Sequence, residues 1–251
     1  MSIDTIQRQR FEHKYVINEQ VALRIRDFLS SYLDLDPYGA TQPNLSYPVH
    51  SLYLDSPGMR TYQNTINGDR NRYKLRVRFY EQMDDSPLYF EIKRRYNNAI
   101  AKKRAIVKRE ASYKMATGFI PSRGSLVDPS AEQMDALVDF SRMVNNLRAE
   151  PKVHVAYIRE AWVADGSNKI RVTIDRNVRS EPQKVVSFSP EMRNPKLVFG
   201  KNLILELKFT NRFPNWFQEL VQRFGLRQGG AAKYADGVTN LGEYHFLRNY
   251  V

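Results

Sequence analysis

"RYKLRVRFYEQMDDSPLYFEIKRR", residues 72–95, decides the fold. Lys74, Arg76 and Arg78 alternate with Leu75, Val77 and Phe79, while Glu91, Lys93 and Arg95 alternate with Phe90 and Ile92. Successive side chains of a strand point to opposite faces, so each half is a ribbon with one apolar and one charged side. "EQMDDSP" reads as the hairpin loop between them. For a single strand, a solvated face is the ordinary explanation of such charges.

The pattern recurs along the chain. "FEHK" at 11–14, "FEIK" at 90–93 and "LELK" at 205–208 each set a Glu and a Lys two residues apart on one strand face. Their spacing is uneven, so one requirement is met three times without a fixed-period repeat. Arg159 follows Tyr157 on one further strand, and Arg171, Thr173 and Asp175 share a face on another. Like charges in register repel, and a polyanion enclosed between the strands would compensate them. A closed barrel with its polar face inward supplies that arrangement: Arg forks and Lys ammoniums bracket phosphates, and carboxylates hold a divalent cation against phosphate oxygens.

The remaining segments fit this plan. A strand is expected over Arg10–Ile17, followed by a helix capped by Asn18 and running to about Leu33 on Val21, Ile25, Phe28, Leu29 and Tyr32. A strand in "VHSLYLDS", a helical turn and an Asn67-Gly68 turn lead into the opening hairpin, and "NAIAKKRAIVKRE" supplies a further partner strand. Asp128 or Ser130 caps a helix to about Arg148 on Met134, Leu137, Val138, Met143 and Leu147. "KVHVAYIREAWV", "KIRVTIDRNVR" and "NLILELKFT" are strands, "PNWFQELVQRFGL" is a late helix, and "RQGGAAKYADGV" reads as a loop. Helices do not alternate regularly with strands as a doubly wound fold requires. The expectation is one α+β domain over residues 1–251, an antiparallel β-barrel with helices packed outside.

Thirty-nine Lys and Arg against 27 Asp and Glu give a net charge of +12, which points to an anionic partner. The absence of cysteine excludes disulfides, thiolate metal sites and a Cys nucleophile, and fits a cytoplasmic location. "MSIDTIQRQRFEHKY" lacks a secretory apolar core, and no run approaches the roughly 20 apolar residues of a membrane helix, so an unprocessed soluble chain is expected.

The ordered set "RFEHKYVI", "HSLYLDS", "KLRVRFY", "YFEIKRR", "AKKR", "YIREAW", "IRVTID", "LELKF" and "KYADG" resembles the polyphosphate polymerase (VTC) domain, a branch of the triphosphate tunnel metalloenzymes that include the CYTH proteins. The resemblance implies a barrel whose lumen binds ATP, triphosphate or polyphosphate with Mn²⁺ or Mg²⁺, transferring the terminal phosphate of ATP to a growing chain. It implies lumenal, catalytic and phosphate-binding roles for Lys14, Arg76, Arg78, Lys93, Arg159 and Arg171, a principal metal-ligand role for Glu206, and a phosphate contact near the tunnel mouth for Lys233. Strand parity favours Lys102 as a further phosphate ligand, with Lys103 the alternative if the strand bulges, and puts Arg104 on the same face as Lys102. Glu12 and Glu91 balance the lumen or join the metal.

CYTH triphosphatases begin Glu-x-Glu-x-Lys, whereas here Arg10-x-Glu12-x-Lys14 exchanges one carboxylate for a cation, the direction expected for a longer polyanion. Triphosphatase activity and a polyanion-binding module are the alternatives. The aromatics lie opposite the charges, which argues against a nucleic-acid stacking platform. His13 faces away from Glu12 and Lys14 and is expected to pack. His50, His154 and His245 lack metal-ligand spacing, and Trp216-Phe217 belongs to a helix covering the barrel.

Overall fold

The side chains of Arg76 and Glu91 meet, the Arg76 Nε donating to Glu91 at 2.7 Å, so these charges face each other rather than water. In the structure, a computed structural model, residues 10–80, 85–97, 99–164 and 167–246 are described. The tip of the opening hairpin, at 81–84, and the first nine residues lie outside them. Ten strands occur among the described residues: β1 Arg10–Ile17, β2 Asp34–Leu35, β3 Tyr47–Asp55, β4 Asn71–Phe79, β5 Leu88–Tyr96, β6 Ala99–Val107, β7 Glu150–Ala164, β8 Ser167–Pro182, β9 Lys196–Leu197 and β10 Leu203–Thr210. The helices are α1 Glu19–Leu29, α2 Pro37–Ala40, α3 Arg60–Ile66, α4 Arg109–Ala116, α5 Ala131–Leu147, α6 Asn215–Arg223 and α7 Lys233–Leu241.

All strand pairings are antiparallel, and eight strands close a ring in the order β7-β3-β4-β5-β6-β1-β10-β8, with β8 returning to β7. The ring is not a regular barrel. Most neighbours pair over five to eleven residues, but β1 meets β6 at Arg10↔Ile100 alone among the described residues. Beyond that pair the edge of β1 turns to the segment after α6, through a Tyr15↔Gln228 bridge and a Gly229 N–H donated to the Lys14 carbonyl.

Alternation sorts the two faces. Leu75, Val77, Phe79, Phe90 and Ile92 point outward into a core completed by Leu137, Phe140 and Val144 of α5. Each such buried side chain contributes about 1.5–3 kcal/mol. A second outer core packs Ile25, Phe28 and Leu29 of α1 and Phe217 and Leu220 of α6 on β8 and β10. The Asn18 side chain accepts the Val21 N–H, capping α1, which ends at Leu29 rather than Leu33 because the chain must turn into β2 on β7. Tyr32, past that end, stacks on Trp216 at 4.8 Å.

One helix departs from the expected plan. The "KYADG" stretch is α7, not loop, and α7 lies inside the ring. Its Tyr234, Ala235, Val238 and Leu241 pack on Val49 and Tyr53 of β3, Val153 and Val155 of β7 and Val178 of β8, the same sheet face that carries the charged residues. Gly237 permits this approach, because a Cβ there would sit 3.1 Å from the Ser180 Cβ. Part of the lumen is therefore an apolar plug, and the charges gather in the remainder.

Candidate active site

Strand parity concentrates the basic residues around a cavity of about 2140 Å³. Sixteen Lys and Arg side chains reach its wall, against the carboxylates of Glu12, Asp36 and Glu206. Glu91 and Asp175 are wholly buried behind that wall.

Glu91 lies opposite Arg76 and Arg104 in the β4–β5–β6 register. It accepts from the Nε of Arg76 at 2.7 Å and from the Nε of Arg104 at 2.7 Å, with Lys102 Nζ at 3.7 Å. Burial would raise the Glu91 carboxyl, but Arg76, Arg78 and Arg104 hold it well below the usual carboxylate range. Lys103 turns outward to Asp139 of α5, so the parity that favoured Lys102 for the lumen holds.

Glu206 is the second hub. Lys208 Nζ lies at 2.6 Å, Lys233 Nζ at 2.7 Å, Lys14 Nζ at 3.4 Å and Arg159 Nη2 at 3.6 Å. Arg159 also grips Asp175 through two bonds of 2.7 and 2.8 Å, and Lys233 reaches the same carboxylate at 2.7 Å. Lys233 is buried in the cavity wall at the start of the internal helix. Glu12 receives Lys93 at 2.9 Å and Lys14 at 3.2 Å. Arg171 bonds Asp36 at 2.8 Å.

Not every cation is matched. Arg78 is buried, donates to the Tyr157 hydroxyl at 3.2 Å, and leaves its Nε without a partner. Lys102, with a side chain 38% exposed at the cavity wall, is lowered to about 7 by loss of hydration within the cavity, with Arg104, Arg78 and Arg76 reinforcing this against the pull of Glu91. Burial, then Lys14 and Lys93, lowers Lys74 to about 7. Burial brings Lys208 to about 8 despite Glu206.

All the residues singled out in the sequence, Lys14, Arg76, Arg78, Lys93, Lys102, Arg104, Arg159, Arg171, Lys233, Glu12 and Glu206, line this one cavity. Others that line it were not among the candidates, including Lys74, Lys208, Tyr53, Asp36, Arg72 and Arg95. Lys74 and Lys208 share the strand faces of Arg76 and Glu206, so parity alone would have found them. Tyr53, which accepts from Arg76 at 3.2 Å, follows the β3 alternation. Asp36 sits in a loop before α2 and carried no local signal. His13 packs on Phe209 and Phe213, as its parity implied. His50 and His154 pair at 3.0 Å outside the lumen.

The chain matches the VTC domain family over residues 9–241. It belongs to that family. The VTC domain is a tunnel-fold domain of polyphosphate-related phosphotransferases, and the ring and basic lumen give this member the corresponding architecture. No curated protein matches the chain. Among solved structures, the PH1819 protein from Pyrococcus horikoshii OT3 is similar at 8% identity, with a TM-score of 0.49 over 93% of this chain and 99% of that one. No helix among the described residues is long and apolar enough to cross a membrane.

VTC domains suggest dependence on a divalent metal. The lumenal carboxylates are hard oxygen donors suited to Mn²⁺ or Mg²⁺, yet no group of three or more His, Cys, Asp or Glu side chains converges among the described residues. Such ions commonly bind through one or two carboxylates plus substrate phosphates and water, and Glu206 with Glu12 fits that mode.

Proposed function

We propose that this VTC domain is a polyphosphate polymerase that draws on cytoplasmic ATP. The observation that carries the reading is the cavity wall itself, where cations far outnumber carboxylates and are fixed by carboxylates buried behind them. A cation held in place needs little reorganisation when phosphate charge shifts during transfer.

In this reading Lys14, Arg76, Arg78, Lys93, Lys102, Arg104, Arg159, Arg171 and Lys233 hold the phosphates of ATP and of the chain end in line. A terminal oxygen of the chain forms a bond to the γ-phosphorus, the bond from that phosphorus to the β-phosphate bridging oxygen breaks, and ADP leaves with the electron pair. No protein nucleophile is needed. Glu206, with Glu12, would hold Mn²⁺ or Mg²⁺, which supplies charge neutralisation to phosphate oxygens.

Glu12 bears on the choice between polymerase and hydrolase. Burial would raise its carboxyl, but Lys93 and Lys14 hold it far below the carboxylate range. A hydrolase would need Glu12 free to orient water, whereas in the empty lumen it is engaged by Lys93 at 2.9 Å and Lys14 at 3.2 Å.

The test is to incubate purified protein with ATP and Mn²⁺ and resolve the products on a polyphosphate gel and by phosphorus NMR. Long chains support the polymerase. Orthophosphate alone supports a triphosphatase, and tight polyphosphate binding without turnover supports a binding module.

A further inference from the structure

Most central cations other than Arg78 meet a carboxylate, whereas Arg72, Lys74 and Arg95 toward one end of the ring meet none at ion-pair distance among the described residues. Arg72 and Lys74 lie on the lumenal face of β4, across from Arg95 and Lys93 of β5. Arg72 donates to the Asp69 carbonyl, and Arg95 donates to the Asn97 carbonyl at 2.7 Å. Lys74 stands over the Tyr234 ring at 5.7 Å. Within the described residues none of the three meets a carboxylate at ion-pair distance, although all three line the cavity. Asp69 and Asp236 offset Arg72 and Lys74 only from beyond ion-pair distance, so the three cations keep donors to offer an anion.

The same end of the ring is open. Among the described residues β1 and β6 share one residue pair, and the cavity lining continues from there to exposed Tyr96 on one side and exposed Gly229 and Gly230 on the other. The internal helix α7 fills the part of this end that faces β3, β7 and β8. What remains is a window flanked by Arg72, Lys74 and Arg95.

We propose that Arg72, Lys74 and Arg95 form a second phosphate-binding station, over which the already formed part of a polyphosphate chain leaves the lumen through the gap between β6 and the Gly229–Gly230 segment. Arg72 lies four residue steps from Arg76, about 13 Å at 3.3 Å per residue, with Lys74 half-way between and Arg95 across from Arg72. A triphosphate centred on Arg76 reaches the level of Lys74 and Lys93 but not that of Arg72 and Arg95, whereas a long chain passes all of them. The station therefore selects for length. The direction of travel rests on the polymerase reading; the binding of chain at this station does not.

The experiment uses binding alone, without ATP or metal. Affinities for tripolyphosphate and for polyphosphate of several tens of phosphates are measured for the wild type, for Arg72→Ala/Lys74→Ala/Arg95→Ala, and for a control replacing three exposed cations, Lys184, Lys196 and Lys201, by Ala. In the station variant the ratio of long-chain to tripolyphosphate affinity is expected to fall at least about tenfold, well beyond the control. A ratio unchanged from wild type, or lowered no more than in the control, overturns the station. Should the triple variant fail to fold, Arg72→Ala/Arg95→Ala carries the same comparison. A lowered ratio in a protein that makes no chains from ATP keeps the station and removes the polymerase reading.

Discussion

Lys233, the first residue of the internal helix, places its ammonium 2.7 Å from the carboxylate of Glu206 on β10. One charge thus ties the plug to the hub proposed to hold metal. In Lys233→Met, turnover should be lost and stability should fall by about 3 kcal/mol, because buried carboxylates lose a partner. Mn²⁺ binding without phosphate should tighten, since Glu206 is relieved of a competing cation. Chemical denaturation and Mn²⁺ titration by electron paramagnetic resonance check the two directions.

Arg76 and Arg78 are neighbours on one face with opposite expectations for stability. Arg76→Ala strips Glu91 of a contact at 2.6 Å and should cost about 3 kcal/mol along with activity. Arg78→Ala removes a buried guanidinium that has no carboxylate partner and an unpaired Nε, so activity should vanish with stability unchanged or raised. Unchanged activity in both variants would sink the lumenal assignment.

Glu91→Gln leaves Arg76, Arg104 and Lys102 around a neutral amide. The empty protein should lose about 3–5 kcal/mol, as expected when a buried charge cluster loses its counter-ion. Tripolyphosphate should then raise the melting temperature of the variant more than that of the wild type, because the ligand supplies the missing negative charge. Paired thermal scans with and without tripolyphosphate measure this.

The lysines make binding sensitive to pH. Lys74 and Lys102 sit near 7 in the folded protein against an ordinary value of 10.5. Between about 7 and 10.5 the unfolded chain therefore binds more protons, and the stability of the empty protein rises with pH across that window. A bound polyanion favours the charged lysines, so at pH 8 binding should take up protons, and affinity should fall as pH rises through 7 to 9. Calorimetry in buffers of different ionisation heat reads the proton uptake directly, and a value of zero contradicts the reading.

The charged faces were legible in the sequence because a two-residue period is a local property, and Arg76, Arg78, Lys93 and Glu206 follow from it. Their gathering around one cavity needed many strands to share the pattern. What stayed hidden was non-local. Asp36 meets Arg171 across 135 positions. The internal helix was masked by its own lead-in, "RQGGAA", whose two glycines read as loop, although Tyr234, Val238 and Leu241 do follow helical spacing. Nothing in that spacing says whether a helix packs outside or inside a ring; the close approach of Gly237 to Ser180 only permits the inside position.

The junction between β1 and β6, one pair among the described residues, also bears on how the chain folds. The other edge of β1 pairs with β10, joining Arg10 to Thr210, so the ring cannot close until nearly the whole chain has been made. Contacts that distant in sequence form slowly, and a strand held on one side by the last partner to arrive and on the other by a single rung is the final piece to lock. It should also be the first to loosen. Hydrogen exchange would show this as amides of β1 exchanging ahead of those in the β7–β8 pair, whose contact is far longer.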